Sequence, residues 1–195
     1  CASGFAFFWP NELSTVPIAI LNNIYNAGNV TTYNVTLPKA DINCEPLLYS
    51  VFNLTPNTQI LKLMNQTYLA HEAKYTQTKN FTAFSEGNSP YDYIWEWVVR
   101  SDGKVWTITN GTGSTLNIEP IIYTKISLSF LAIFNTPFAK DMSIYLERVL
   151  PDPSSSGYAI GADYNVDITK VKVVANSDCL ANGLILSAAK YALHL

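Results

Sequence analysis

The chain has 195 residues, the size of one domain of ordinary dimensions or one domain with an ordered tail, and is too short to read as two. Hydrophobic residues make up 48% but charged residues only 14%, against roughly 25% in an average soluble domain, so something other than ions must hydrate the surface. Twelve Lys and Arg against fifteen Asp and Glu give a net charge of −3, which supplies no basic field for a polyanion and excludes a nucleic-acid partner.

The N-terminal stretch Phe5-Ala6-Phe7-Phe8-Trp9-Pro10 is strongly apolar where a leading segment is usually polar. In an extended chain Phe5, Phe7 and Trp9 share one side, and Val16, Ile18 and Ile20 repeat the alternation after Pro10. Left in water, such a run would aggregate. It is read either as the first strand of the protein's own sheet or as a strand given to a neighbouring copy. Residues 1–20 are accordingly set apart as a donor-strand segment, and 21–195 as the body.

Six Asn-x-Thr triplets follow, at Asn29, Asn34, Asn53, Asn65, Asn80 and Asn110, none with Pro in the middle position. With 18 Asn and 17 Thr, chance would give roughly 1.6. Asn-x-Ser does not occur. The bias reads as a heavily N-glycosylated exterior, with sugar supplying the hydration that charge usually gives, and it places the protein outside the cell. No signal sequence is present, so a processed form is expected.

Period-two alternation dominates the rest of the chain. Tyr33 to Leu37 alternates apolar with polar side chains, putting Asn34 toward solvent. Gln59 to Tyr75 has partly helical spacing, with Thr58 as a candidate cap. Ser85 to Pro90 reads as a loop. Tyr91 to Val99 puts Tyr91, Tyr93, Trp95 and Trp97 on one face and Asp92, Ile94 and Glu96 on the other, and Ser101-Asp102-Gly103 then turns the chain into a strand from Lys104 to Thr109. Ile122, Ile126, Leu128, Phe130, Ala132 and Phe134 fall on one face of a long strand, and Met142, Ile144 and Leu146 begin another after Asn135-Thr136-Pro137. The longest apolar run, around Ile126 to Phe134, is too short for a membrane span. Pro151 to Gly157 is a loop, Val166 to Val173 a late strand, and Leu180 to Leu195 a candidate helix capped by Ser177 or Asp178. Seven or more short strands with turn signals point to an all-β fold, a Greek-key β-sandwich with an extended N-terminal donor strand.

The inventory for catalysis is poor, and the chain is read as not an enzyme. His71 and His194 have no metal-ligand spacing, so no metal and no cofactor is expected beyond covalent glycans. Asn110-Gly111-Thr112-Gly113-Ser114 lacks the Lys of a phosphate loop and reads as a turn. Asp92 and Glu96, about 13 Å apart along a strand, lie beyond the spacing of a glycosidase pair and read as solvated. Ser89 is not in a nucleophile elbow. Tyr91, Tyr93, Trp95, Trp97 and Trp106 form a sandwich core if they face inward and a sugar-stacking surface if they face out. Cys1, Cys44 and Cys179 allow one disulfide, Cys44–Cys179 or Cys1–Cys44, and the second would tie the N-terminus to its own domain. The leading Cys-Ala-Ser-Gly is also similar to the start of a processed bacterial lipoprotein.

Low charge, dense Asn-x-Thr and an apolar extended segment before the body resemble the subunits of archaeal thread filaments, which are similar to type 1 pilins. Asn34-Val35-Thr36-Leu37 leading to Ile42-Asn43-Cys44 is similar to the early strand of such pilins. The resemblance implies a pilin-like (Ig-like) sandwich in an extracellular, cell-surface filament. Identical subunits would join head to tail by donor-strand complementation, with Phe5, Phe7 and Trp9 filling a neighbour's groove. Adhesion and cell–cell contact would be its role. The alternative is the receptor-binding (lectin) tip of a chaperone-usher fimbria, whose partner would be a carbohydrate receptor.

Overall fold

Asn135-Thr136-Pro137, a turn signal in the sequence, joins two helices in the computed structural model, which describes residues 16–53, 58–90 and 92–194. Asn135 takes the left-handed conformation (φ 48°) and ends the first helix, its N–H bonded to the Leu131 carbonyl. Thr136 caps the second by accepting from the Ala139 N–H, and Pro137 takes the first helical position, where a missing N–H costs nothing. The expected all-β sandwich is therefore corrected to a mixed α/β fold, with six α-helices and nine short strands among the described residues.

In chain order the elements are α1 (Val16–Asn26), the hairpin β1 (Asn29–Thr32) and β2 (Val35–Pro38), α2 (Cys44–Asn53) and α3 (Thr58–Thr78). A four-stranded antiparallel sheet follows, β3 (Glu86–Asn88), β4 (Tyr93–Val99), β5 (Val105–Thr109) and β6 (Thr115–Leu116), paired in that order. Then come β7 (Ile121–Tyr123), α4 (Thr124–Phe134), α5 (Pro137–Val149), β8 (Gly161–Asp163), a short 3-10 turn, β9 (Val173–Val174) and α6 (Cys179–Ala192). Strands β7, β8 and β9 make a third small sheet. None of the described helices is long and apolar enough to cross a membrane.

The supposed long strand from Ile122 to Phe134 is three residues of β7 running directly into α4. Helix α4 sits between α5 and α6 and also touches α2 and β7. Surrounded on several sides, it is buried from Thr124 through Ser127 and again at Ser129 and Phe130, so its sequence carries no single apolar stripe. Met142 and Leu146 face this core from α5, while Ile144 is exposed, as helical rather than strand spacing requires. Residues 16–20, assigned to a donor strand, lie in α1 instead, with Pro17 in a first turn that tolerates it. The anchors Phe5, Phe7 and Trp9, and Cys1, lie outside the described residues. The helical readings at 59–75 and 180–195 correspond to α3 and α6, and Asp178 caps α6 by accepting from the Ala181 N–H at 2.6 Å.

The main core gathers Met64 and Tyr68 of α3, Phe130 of α4, Met142 of α5 and Leu184 of α6 over Ile94 and Ile108 of the four-stranded sheet. Each such side chain contributes about 1.5–3 kcal/mol by leaving water. A second cluster, including Leu37, Leu63, Phe84 and Val98, fastens the β1–β2 hairpin and α3 to the same face of that sheet. Trp106 is the joint of this second cluster. Its backbone has φ 53°, a region that costs a bulky residue about 1–3 kcal/mol. Its indole donates to Thr32 Oγ1 at 2.8 Å, packs on His71 and Phe84, and lies under the Lys74 ammonium.

Candidate functional site

Strand β4 is buried at Ile94, Glu96 and Val98 and half-exposed at Tyr93, Trp95 and Trp97. The hydrophobic helices attract Ile94 and Val98, and strict alternation then forces the three large aromatics outward. The cross-strand register extends this outer face. Glu86 lies opposite Trp95, Asn88 opposite Tyr93, Thr109 opposite Trp95 on the other side, and Thr107 opposite Trp97. The aromatics are thus a row on an outer sheet face, flanked by a carboxyl, an amide and hydroxyls. Trp106, grouped with them in the sequence, points to the opposite side, and Tyr91 lies outside the described residues.

At one end of the row a cleft of about 220 Å³ is bounded by Trp95, Trp97, Arg100, Asp41 and the turn at Asn110–Gly113. The turn is built by Asn110, whose Oδ1 accepts from Thr112 N, Thr112 Oγ1 and Ser114 N. Gly113 supplies the positive φ (81°) that the turn needs. The row is held in place from its edges. Trp97 Nε1 donates to Thr109 Oγ1 at 3.0 Å, Trp95 bonds the Glu86 carboxylate, and Tyr93 meets Trp95 edge-on at 4.9 Å between ring centres. Burial and the neighbouring Glu45 raise the Glu86 carboxyl, with Lys125 and Trp95 acting the other way. Burial, with Glu86 beside it, pushes the Tyr93 phenol up to about 12, so it stays a neutral donor.

Glu96 was expected in solvent and is fully buried under the sheet. Its Oε1 accepts from the Ile121 N–H at 2.7 Å, its Oε2 has no partner among the described residues, and burial raises its carboxyl well above the usual range. Asp92 stays exposed just before β4, where it accepts from the Tyr93 N–H. The raised carboxyls of Glu86 and Glu96 face opposite sides of the sheet and do not form a working pair. Beneath the face, Glu45 accepts from Ser85 Oγ and is paired with Lys125, whose ammonium also donates to the Glu86 carbonyl and lies over the Tyr123 ring.

His71 is buried between Cys44 Sγ (3.3 Å from Nε2) and Thr82 Oγ1 (3.0 Å from Nδ1). Burial lowers the imidazole to about 3 and raises the Cys44 thiol, so both are neutral structural groups. His194 is exposed near the C-terminal end of the chain. The Cys44–Cys179 disulfide is not formed: Cys44 is a buried free thiol at the start of α2, and Cys179 an exposed one at the start of α6. No three His, Cys, Asp or Glu among the described residues come together as a metal site.

Of the sequon asparagines, Asn29, Asn34, Asn53, Asn65 and Asn80 are exposed and Asn110 is half-buried. Asn34 is at the tip of the β1–β2 hairpin, with φ 62°. Two of the paired threonines are interior. Thr67 donates to the Leu63 carbonyl within α3, and Thr82 bonds His71. The other members of the outer face, Glu86, Asn88, Arg100 and Asp41, went unrecognised in the sequence. Glu86 and Asn88 lie on β3, in a segment whose Ser, Gly, Asn and Pro read as a loop, and no local signal brings Asp41 to Arg100.

No curated protein and no solved structure matches the chain. A family described as a protein of unknown function, DUF3131, matches residues 15–194, nearly the whole length. The chain belongs to the DUF3131 family.

Proposed function

We propose that the outer face of the β3–β6 sheet binds carbohydrate. The observation that carries this is the phase of β4, which turns Tyr93, Trp95 and Trp97 out and Ile94, Glu96 and Val98 in. A pyranose ring presents an apolar C–H face to an aromatic ring and polar hydroxyls around its rim. Rings held half-exposed, with Asn88, Asn110 and Asp41 around them, match both requirements. Because the rings stand on a hydrogen-bonded sheet and are braced by Thr109 and Glu86, little side-chain entropy is lost on binding. Successive outward residues on β4 are about 7 Å apart, so the row suits a linear oligosaccharide better than a single sugar.

The reading keeps a carbohydrate partner and an extracellular, glycosylated setting from the sequence, and it requires no catalytic step. The sandwich with a missing strand that a pilin-like donor strand would complete is not formed by the described residues, which make three small separate sheets packed with helices. The test is isothermal titration with a panel of linear oligosaccharides. The parent protein binds at least one of them, and Trp95→Ala weakens that binding about thirtyfold, the cost of a central aromatic of about 2 kcal/mol, with unchanged far-UV circular dichroism. Equal binding by parent and variant would overturn the proposal.

A further inference from the structure

We infer that the carbohydrate taken by this face is acidic, with a sugar carboxylate received by Arg100; this rests on the carbohydrate reading above. Arg100 follows β4 directly and lines the cleft beside Trp95 and Trp97. It is half-buried, and its guanidinium makes no hydrogen bond or ion pair with the described residues. Two acids near it have partners of their own, although the Asp102 carboxyl, held low first by its bond from the Lys104 N–H, is also lowered by Arg100. Asp41 accepts from Ser101 N at 2.8 Å and from Ser101 Oγ at 3.2 Å, and Asp102 accepts from Lys104 N and forms an ion pair with Lys104 Nζ at 3.2 Å.

Among the described residues that line the cleft, Arg100 is the cation and Asp41 the acid, and Lys39 packs its side chain against Gly103, in the turn that follows Arg100. The two indole donors at this end are committed, Trp97 Nε1 to Thr109 and Trp95 to Glu86. A guanidinium keeps five N–H donors in a planar fork that matches a carboxylate in two parallel bonds, and next to aromatic rings it is only partly hydrated. Glu86, across from Trp95, puts negative charge beside the other part of the row. The face is therefore polar along its length: a uronate belongs over Trp97 next to Arg100, and an uncharged sugar over Tyr93.

The experiment compares oligogalacturonate and hyaluronan oligosaccharides with their carboxyl-reduced, uncharged counterparts, using the full chain, its Arg100→Gln and Arg100→Lys variants, and Trp95→Ala. The parent is expected to bind at least one acidic oligomer ten times or more tighter than its reduced form. Arg100→Gln should bring that ratio to within about twofold of unity, and Arg100→Lys should restore part of it. Trp95→Ala should weaken both forms. If the parent binds acidic and reduced forms equally, or Arg100→Gln keeps the preference while Trp95→Ala still weakens both, the acidic assignment is wrong and the carbohydrate face stands. Failure of every oligomer to bind, or an unchanged Trp95→Ala, would overturn the face itself.

Discussion

Replacing His71 with Gln removes an imidazole that the protein keeps uncharged, and the consequence is a pH-dependent change in stability whose sign is fixed. The ring is enclosed by Phe84, Trp106 and Phe130, with both nitrogens bonded inside, and burial holds its folded-state value near 3 against an ordinary 6.5. Between those limits the unfolded chain binds a proton that the folded chain refuses, so stability is complete above pH 6.5 and falls as the pH drops toward 3. One proton gives a slope of about 1.4 kcal/mol per pH unit, and about 5 kcal/mol over the whole interval, comparable to the entire stability of many domains. His71→Gln has no such proton. It loses ring packing worth about 2 kcal/mol at pH 7, and the deficit closes on acidification until parent and variant cross near pH 5. Urea unfolding followed by tryptophan fluorescence from pH 4 to 8 reads this directly. A difference between the two proteins that stays constant across that range would refute the account of a buried neutral His71.

Three further outcomes follow from the interior. Lys125→Met leaves the Glu45 carboxylate buried without its partner and should cost about 3–5 kcal/mol, seen as a melting temperature about 6–20 °C lower, and adding Glu45→Gln should recover most of the loss. A single variant no worse than the double would contradict this. Glu96 behaves oppositely to His71. Its folded-state value is raised, so its contribution is present below the ordinary value of 4.5 and is lost as the pH climbs toward the raised one, at up to about 1.4 kcal/mol per unit. Glu96→Gln should therefore gain on the parent from pH 4 to pH 7, and parallel melting curves over that range would show the carboxyl to be unperturbed. Gly161→Ala would place a Cβ 2.3 Å from the Ile122 carbonyl oxygen and 2.9 Å from Ile121 Cγ2, a backbone clash that prises β8 from β7 and should cost about 3 kcal/mol or more. Denaturant midpoints check it, and a variant as stable as the parent would mean that the two strands are not in this register.

The parts of the fold that could be read from the sequence are those where one local signal had one meaning. The Ser101-Asp102-Gly103 turn joins β4 to β5, and the Asp178 cap opens α6, where residues of that kind are needed. Helices α4 and α5 were hidden because their signals are shared. Asn135-Thr136-Pro137 serves a hairpin turn as well as a C-cap followed by an N-cap, and a helix packed on several sides loses the stripe that separates period 3.6 from period 2. The aromatic row was legible as a set and not as a face. A strand has two faces, and Glu96, being charged, seemed to mark the solvent side, although inside the protein it is held by the Ile121 N–H. Arg100 depended on the chain bringing Asp41 and the Asn110 turn alongside it, an arrangement carried by long-range pairing such as the Ile42–Val99 bridge.

The most direct measurement of the central claim is the indole N–H spectrum of ¹⁵N-labelled protein titrated with an oligosaccharide. The account predicts that the Trp95 and Trp97 signals shift and saturate together while Trp106, on the inner face, stays in place. Stationary Trp95 and Trp97 signals at saturating sugar, or a response confined to Trp106, would contradict it.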